Sequence, residues 1–338
     1  MNKWKKLHTK FLFIVFFCSA GITYGQETQI RGFAEVLSNY QKKRVAFSLG
    51  EQDLFITSDL SNRFNFLGET VFKYSASSPT LFDISVERIV IKYNFYGNHN
   101  ILIGKHHTPV NYWNDTYHHG RVFFPTIYRP DLFNDHVIPL HTTGISVQGH
   151  DLGKLKFGYD LMVGNGIGSA DANDTVKAKS ITAAAHFKPV DHLRIGVSYY
   201  TDKIPAGVKD AHGTMVLKKE IDQQLLTGSI SYFGRRIEFL AESTFVMDKT
   251  DSTGTKNSTA AYAYAGFRIH NIVPYVRYDY LHAPAGELFL PADTKTTIVA
   301  GIRNEINYLT VVKLEFQHSE SDMAKTSNVV TAQIAVGF

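Results

Sequence analysis

Between Arg236 and His318, acids and bases recur two residues apart: Arg277 and Asp279, Arg303 and Glu305, Lys313 and Glu315, with Glu238 and Glu242 four apart. Even spacing puts such side chains on one face of a β-strand. Arg88, Lys92, Asp160 and Arg194 fall on the equivalent face earlier in the chain. A face of this kind can meet water and passing solutes, or it can pair with itself. Burying twelve such groups in a dry core would cost several kcal/mol for each imperfectly paired one, so the sequence predicts that they border water. Catalysis is not expected. The carboxylates are spread over many strands, no G-x-S-x-G elbow is present, and nothing marks a nucleophile.

The second chemically rich stretch is residues 108–141, TPVNYWNDTYHHGRVFFPTIYRPDLFNDHVIPLH. Connections beyond about 15 residues are functional or disordered more often than not. This one carries Tyr112, Trp113, Tyr117, Phe123, Phe124, Tyr128 and Phe133 with Pro125, Pro130 and Pro139, which predicts packing. Asp115, Arg121, Arg129, Asp131 and Asp135 are candidates for a polar constriction if the segment folds inward. Six of the fifteen histidines lie between 106 and 141: His106, His107, His118, His119, His136 and His141. Adjacent histidines on a strand point to opposite faces, and no acidic partner sits at a metal spacing such as H-E-x-x-H, so no metal site is expected.

The elements that must position these groups are strands. In Leu309–His318, Val312, Leu314 and Phe316 oppose Lys313, Glu315 and Gln317. In Arg236–Met247, Ile237, Phe239 and Ala241 oppose Glu238 and Glu242; in Ile272–Tyr280, Val276, Tyr278 and Tyr280 oppose Arg277 and Asp279. A soluble sandwich could show the same alternation, but the connections discriminate. Short turns are expected near 61–63, 97–98, 151–153, 189–191, 233–235, 270–271 and 307–308. Long loops are expected near 38–44, 75–82, 108–141, 166–179, 203–219, 248–257, 284–293 and 320–326. Seven short and eight long connections in alternation make sixteen strands, or fourteen if the first two fail.

The two ends complete the reading. Lys3, Lys5, Lys6 and Lys10 precede the apolar run Phe11–Phe17, and small residues lead to Gln26. This predicts a secretory signal over residues 1–25, cleaved after Gly25, leaving a single unit over 26–338. Cys18, the only cysteine, lies within that signal, which excludes disulfide or thiol chemistry from the remainder. Without its four lysines, 31 basic residues balance 31 acids, so nothing argues for a nucleic-acid partner. The 24 Phe and 18 Tyr, without a second long apolar run, exclude a helical membrane protein and suit an all-β, closed antiparallel transmembrane barrel. The last strand, Asn328–Phe338, sets Val330, Ile334, Val336 and Phe338 on one face; its terminal Phe resembles the signal read by barrel assembly machinery.

In strand count, turn rhythm, the place of the long third loop and the terminal Phe338, the chain resembles the sixteen-stranded general porins of bacterial outer membranes. Topology carries this resemblance, with no residue motif. It implies an integral outer-membrane protein, embedded in lipid and commonly a homotrimer, with its third loop narrowing the lumen. The implied function is passive diffusion of small hydrophilic solutes or ions, with no enzyme activity and no cofactor. The alternative is a structural or ligand-binding barrel with a plugged lumen and partner-contacting surface loops.

Overall fold

The computed structural model describes residues 27–75, 78–117, 120–168, 174 and 177–338. The expected signal segment and His118 and His119 lie outside the described residues. Sixteen antiparallel strands close into one barrel, each bonded to its sequence neighbours, with the last returning to the first. The first five are β1 (Thr28–Gln41), β2 (Arg44–Asp59), β3 (Phe64–Tyr74), β4 (Phe82–Tyr96) and β5 (His99–His107). After the long third loop come β6 (His141–Leu152), β7 (Phe157–Gly164), β8 (Ser180–Phe187) and β9 (Leu193–Ile204). The remainder are β10 (Ile221–Phe233), β11 (Ile237–Thr250), β12 (Gly254–Phe267), β13 (Ile272–Ala283), β14 (Asp293–Asn307), β15 (Thr310–Ser321) and β16 (Ser327–Gly337). Sixteen strands, not fourteen, are formed, and all seven expected short turns are in place.

Alternation along each strand sorts side chains by solvent. On β13, Val276 and Tyr278 point outward while Tyr275, Arg277 and Asp279 are buried inside. Register extends this sideways: Tyr278 faces Ile298, and Ile302 faces both Pro274 and Leu314. The result is an exposed band of aliphatic and aromatic residues around the outside. In water that band would be strongly unfavourable at about 25 cal/mol per Å²; in hydrocarbon it is the required surface. Closure follows from the same solvent, since lipid cannot satisfy the hydrogen-bonding groups of a free edge.

The seam is made by β1 and β16, paired from Phe33↔Gly337 to Tyr40↔Val330. Beyond it, the Gly32 and Phe338 backbones exchange N–H···O=C bonds of 2.9 and 3.0 Å. Gly32 is required here: a Cβ would sit 2.4 Å from the Phe338 ring and 2.7 Å from the Asp53 carbonyl.

Two of the eight expected long loops are tight turns. The expected loop at 38–44 is only Lys42-Lys43, both with positive φ (49° and 62°), the twist-matched geometry of a two-residue hairpin. The expected loop at 248–257 shrinks to residues 251–253, held by Thr253 N–H donating to Thr250 Oγ1 at 3.0 Å. Polar strand ends at this rim are composed like loops, so composition alone placed the boundaries too early.

Candidate functional site

The third loop, residues 108–140, turns into the barrel instead of standing above it. It carries two single-turn helices, α1 (Tyr112–Thr116) and α2 (Asp131–Asn134). Val110, Trp113, Phe124, Leu132, Phe133, Val137 and Ile138 form one buried cluster with Tyr200, Leu225, Leu240, Tyr262, Tyr264 and Tyr275 of the wall. Trp113 meets Phe124 and Tyr262 edge-on, with ring centroids 5.2 and 6.0 Å apart. Strands β9 to β16 therefore carry the loop on their inner faces, and the open space lies against β2 to β7.

A loop driven inside must still satisfy its backbone, and the wall charges do this. Glu242 accepts the N–H groups of Tyr112 and Trp113, the latter at 3.1 Å, at the start of α1. Glu315 Oε2 accepts the Ile127 N–H at 2.9 Å. The Arg277 guanidinium donates to Thr126 Oγ1 (2.6 Å) and the Tyr128 carbonyl (2.7 Å), while Asp279 holds it from behind at 2.8 Å. Arg303 reaches the Pro125 carbonyl (3.1 Å), and Lys313 reaches the carbonyls of Arg121 (2.9 Å) and Thr126 (3.0 Å). Glu238 receives both Arg303 (2.8 Å) and Arg268 (2.7 Å), and Glu305 bridges the same two arginines.

The twelve wall charges thus separate into two sets. Glu238, Glu242, Arg277, Asp279, Arg303, Lys313 and Glu315 are buried under the loop, and Glu305 is two-thirds covered at its edge. They are not free in water as the strand pattern suggested, because the loop's own peptide groups replace that water. Arg88, Lys92, Asp160 and Arg194 remain on the open side. There, a cavity of about 400 Å³ is bordered by Arg88, Lys92, His106, Asp115, Asp160 and the apolar Leu102. Register sets the span of this wall: Lys92 lies opposite Leu102, Leu102 opposite Ser146, and Gln148 opposite Asp160. Arg88 is paired with Glu69; Lys92 joins no ion pair among the described residues.

The five loop candidates also divide. Asp115 stays half exposed on the open side, 3.2 Å from Arg194. Arg121 is partly buried against Glu51 (2.7 Å) and Glu35 (3.6 Å) and stacks on Phe124 at 4.9 Å. Arg129 is buried as well, its peptide carbonyl accepting from Asn134 at 2.8 Å. Asp131 takes Lys295 at 3.1 Å and the Thr297 hydroxyl at 2.6 Å; Asp135 takes Lys295 at 2.8 Å with His212 3.7 Å away. Burial pushes the Asp135 carboxyl up against the opposing pull of Lys295. Burial, with His212 and Arg129 adding to it, pushes the His136 imidazole down.

Sequence reading missed the anchors Glu35, Glu51, Arg268 and Lys295, and the hydroxyls of Tyr262, Tyr264 and Tyr275 that complete the carboxylate shells. Even spacing within their strands would have marked Glu35 and Lys295; Arg268 sits in a turn, where no alternation points to it. Among the described residues no three His, Cys, Asp or Glu side chains gather as metal ligands.

This architecture has close structural counterparts. The anion-selective porin of Comamonas acidovorans superposes with a TM-score of 0.66 at 11% identity, over 93% of this chain and 100% of that one. It has the porin fold. OmpT, an outer membrane protein of Vibrio cholerae solved in trimer form, matches at 0.65 and 12%, covering 93% of this chain and 99% of its own. The outer membrane channel DcaP of Acinetobacter baumannii matches at 0.62 and 10%, covering 94% and 99%. No family model matches the sequence, and no curated protein matches it. At 10–12% identity what is shared with these outer-membrane proteins is the fold, a closed β-barrel, which in this chain has sixteen strands.

Proposed function

We propose that this barrel is a passive diffusion channel in which the third loop occupies one side of the lumen and solutes move along the other. The observation that carries the reading is the one-sided cavity: Lys92 and Arg88 stand on β4, Asp160 on β7 and Asp115 on the loop, with Leu102 between. Fixed charges of both signs along a water-filled wall orient small hydrophilic solutes and favour neither ion strongly. The remaining candidates (Arg121, Arg129, Asp131 and Asp135) act as loop anchors, and the covered wall charges hold the loop at its constricting position. No residue is asked to make or break a bond. The proposed assembly is a trimer, the form in which the Vibrio cholerae OmpT structure was obtained.

Planar-bilayer recording of the refolded protein tests the reading. Stepwise openings are expected, and deletion of residues 112–138 should enlarge each step. A silent bilayer, with a correctly folded barrel by circular dichroism, would overturn it. The depth to which the loop fills the lumen favours one second reading, a plugged barrel that binds a partner through its loops. That reading predicts silence both before and after small loop substitutions.

A further inference from the structure

The long-loop end of β10 to β12 contains a group of oxygens that the channel does not use. Gln223 on β10 faces Asp248 on β11, and the Gln223 amide nitrogen lies 3.4 Å from Asp248 Oδ2. Ser258 of β12 is on the same inner face, opposite Val246 and two residues along β11 from Asp248. The loop between β13 and β14 sets Glu287 near Asp248, close enough for the two carboxyls to act on one another. All four residues are buried. Glu287 is fixed from its own side by the N–H groups of Phe289 (3.0 Å) and Leu290.

Three of these oxygens meet no donor: Asp248 Oδ1, Gln223 Oε1 and Ser258 Oγ. Two buried carboxylates in contact repel unless a positive charge lies between them. Lys256 faces Asp248 in the β11–β12 register, yet among the described residues no ion pair joins it to either carboxylate; its amine lies instead near Gly286. Only oxygen donors are present, two of them carboxylates, one an amide and one a hydroxyl. That is the ligand chemistry of a hard divalent cation, and of Ca²⁺ before Mg²⁺, because the residues are buried and Mg²⁺ holds on to several of its waters.

We propose that Asp248, Glu287, Gln223 and Ser258 form a Ca²⁺ site that clips the 284–292 loop to the inner wall of the barrel. With two carboxylates, its affinity belongs with weak extracellular modules, a Kd on the order of 10⁻⁴–10⁻³ M. The test is equilibrium dialysis of the detergent-refolded barrel against Ca²⁺, with thermal unfolding recorded in Ca²⁺ and in EDTA. Expected are one saturable site per chain, a Tm raised by Ca²⁺, and loss of both in Asp248→Asn. Gln223→Leu, which keeps both acids, should bind about tenfold more weakly and serves if Asp248→Asn does not fold. Absence of saturable binding would overturn the site, as would equal binding by the variants. A Ca²⁺-independent Tm that falls with rising pH would assign the pair a shared proton instead. Destabilisation by Lys256→Met without any Ca²⁺ response would assign it a lysine counter-ion.

Discussion

If the wall charges hold the loop, removing one should release it, and Arg277→Met is the sharpest case. Arg277 and Asp279 side chains are each 1% exposed, and the guanidinium joins Asp279, Thr126 and the Tyr128 carbonyl at 2.6–2.8 Å. Methionine keeps the volume of the stem but leaves the Asp279 charge buried without a counter-ion, Thr126 Oγ1 without the guanidinium it accepts from, and the Tyr128 carbonyl with only the Thr126 hydroxyl. Breaking a buried pair from one side costs about 3–5 kcal/mol. At about 1.4 kcal/mol per factor of ten, the docking equilibrium of the Pro125–Asp131 segment shifts by a factor on the order of a thousand. Hydrogen exchange by mass spectrometry reads this directly: the Ile127 and Asp131 amides, held by Glu315 (2.9 Å) and Asp279 (3.4 Å), should lose most of their protection. The barrel strands should exchange as before, and single-channel recordings should show larger or flickering steps. Adding Asp279→Asn removes the orphaned charge while retaining an oxygen for the Asp131 N–H, so part of the protection should return. Unchanged exchange across residues 124–131 in Arg277→Met would refute the clamp.

Other consequences can be checked separately. Trp113→Ala empties the centre of the loop cluster and should cost about 3–5 kcal/mol of stability, read as a lower thermal midpoint in detergent. Lys92→Glu reverses a cation on the open wall that joins no ion pair among the described residues, a change of about 1 kcal/mol in local potential, and should move the cation-to-anion permeability ratio, read from the reversal potential in a KCl gradient, severalfold toward cations; Asp160→Asn should move it the other way. His136 titrates lower in the folded loop than its ordinary value of 6.5. The unfolded loop therefore takes up a proton first, and docking is stable above pH 6.5 and weakens as pH falls toward the folded value. Acid-induced conductance changes should shrink in His136→Gln, and a His136→Gln channel with unaltered acid response would remove His136 from the account. Gly32→Val places side-chain carbon where the Phe338 ring and the Asp53 carbonyl stand, and should lower the yield of closed barrel on refolding without changing an already folded core.

The barrel itself was legible because one physical rule writes it into every strand. Lipid outside and polar groups inside force a period of two, and Val276-Arg277-Tyr278-Asp279 shows that rule in four residues. The turns were legible for a related reason, since both ends of the cylinder recur at strand-length intervals. What alternation cannot convey is the material covering an inner face. Arg277 would have the same neighbours in sequence whether it met water, an ion or the Tyr128 carbonyl. That fact belongs to a segment 149 residues away, and no local pattern encodes it. The clue lay in the loop, where Trp113, Phe124, Leu132 and Phe133 demanded an apolar partner that the open top of a barrel could not supply. Taken together, the two signals pointed to one another: a loop with backbone to satisfy and a wall with charges to spend.

The same pairing decides which charges would set selectivity in the proposed channel. Counting every charge on the inner face weights Glu238, Glu242, Asp279 and Glu315 equally with Asp160, although four of the five meet only protein. A buried carboxylate that accepts peptide N–H groups is neutralised locally, and its field at the passage is small beside that of a solvated group a few ångströms from a solute. Arg88 is likewise offset by Glu69, and Arg194 by Asp115. The groups left to act on a passing solute are chiefly Lys92 on one strand and Asp160 three strands away, which the register separates by Leu102 and Ser146. One cation and one anion across an apolar step discriminate by the arrangement of charge in the solute more than by its sign. Weak ion preference in the wild type, made strong by a single substitution at either residue, is the behaviour this wall requires.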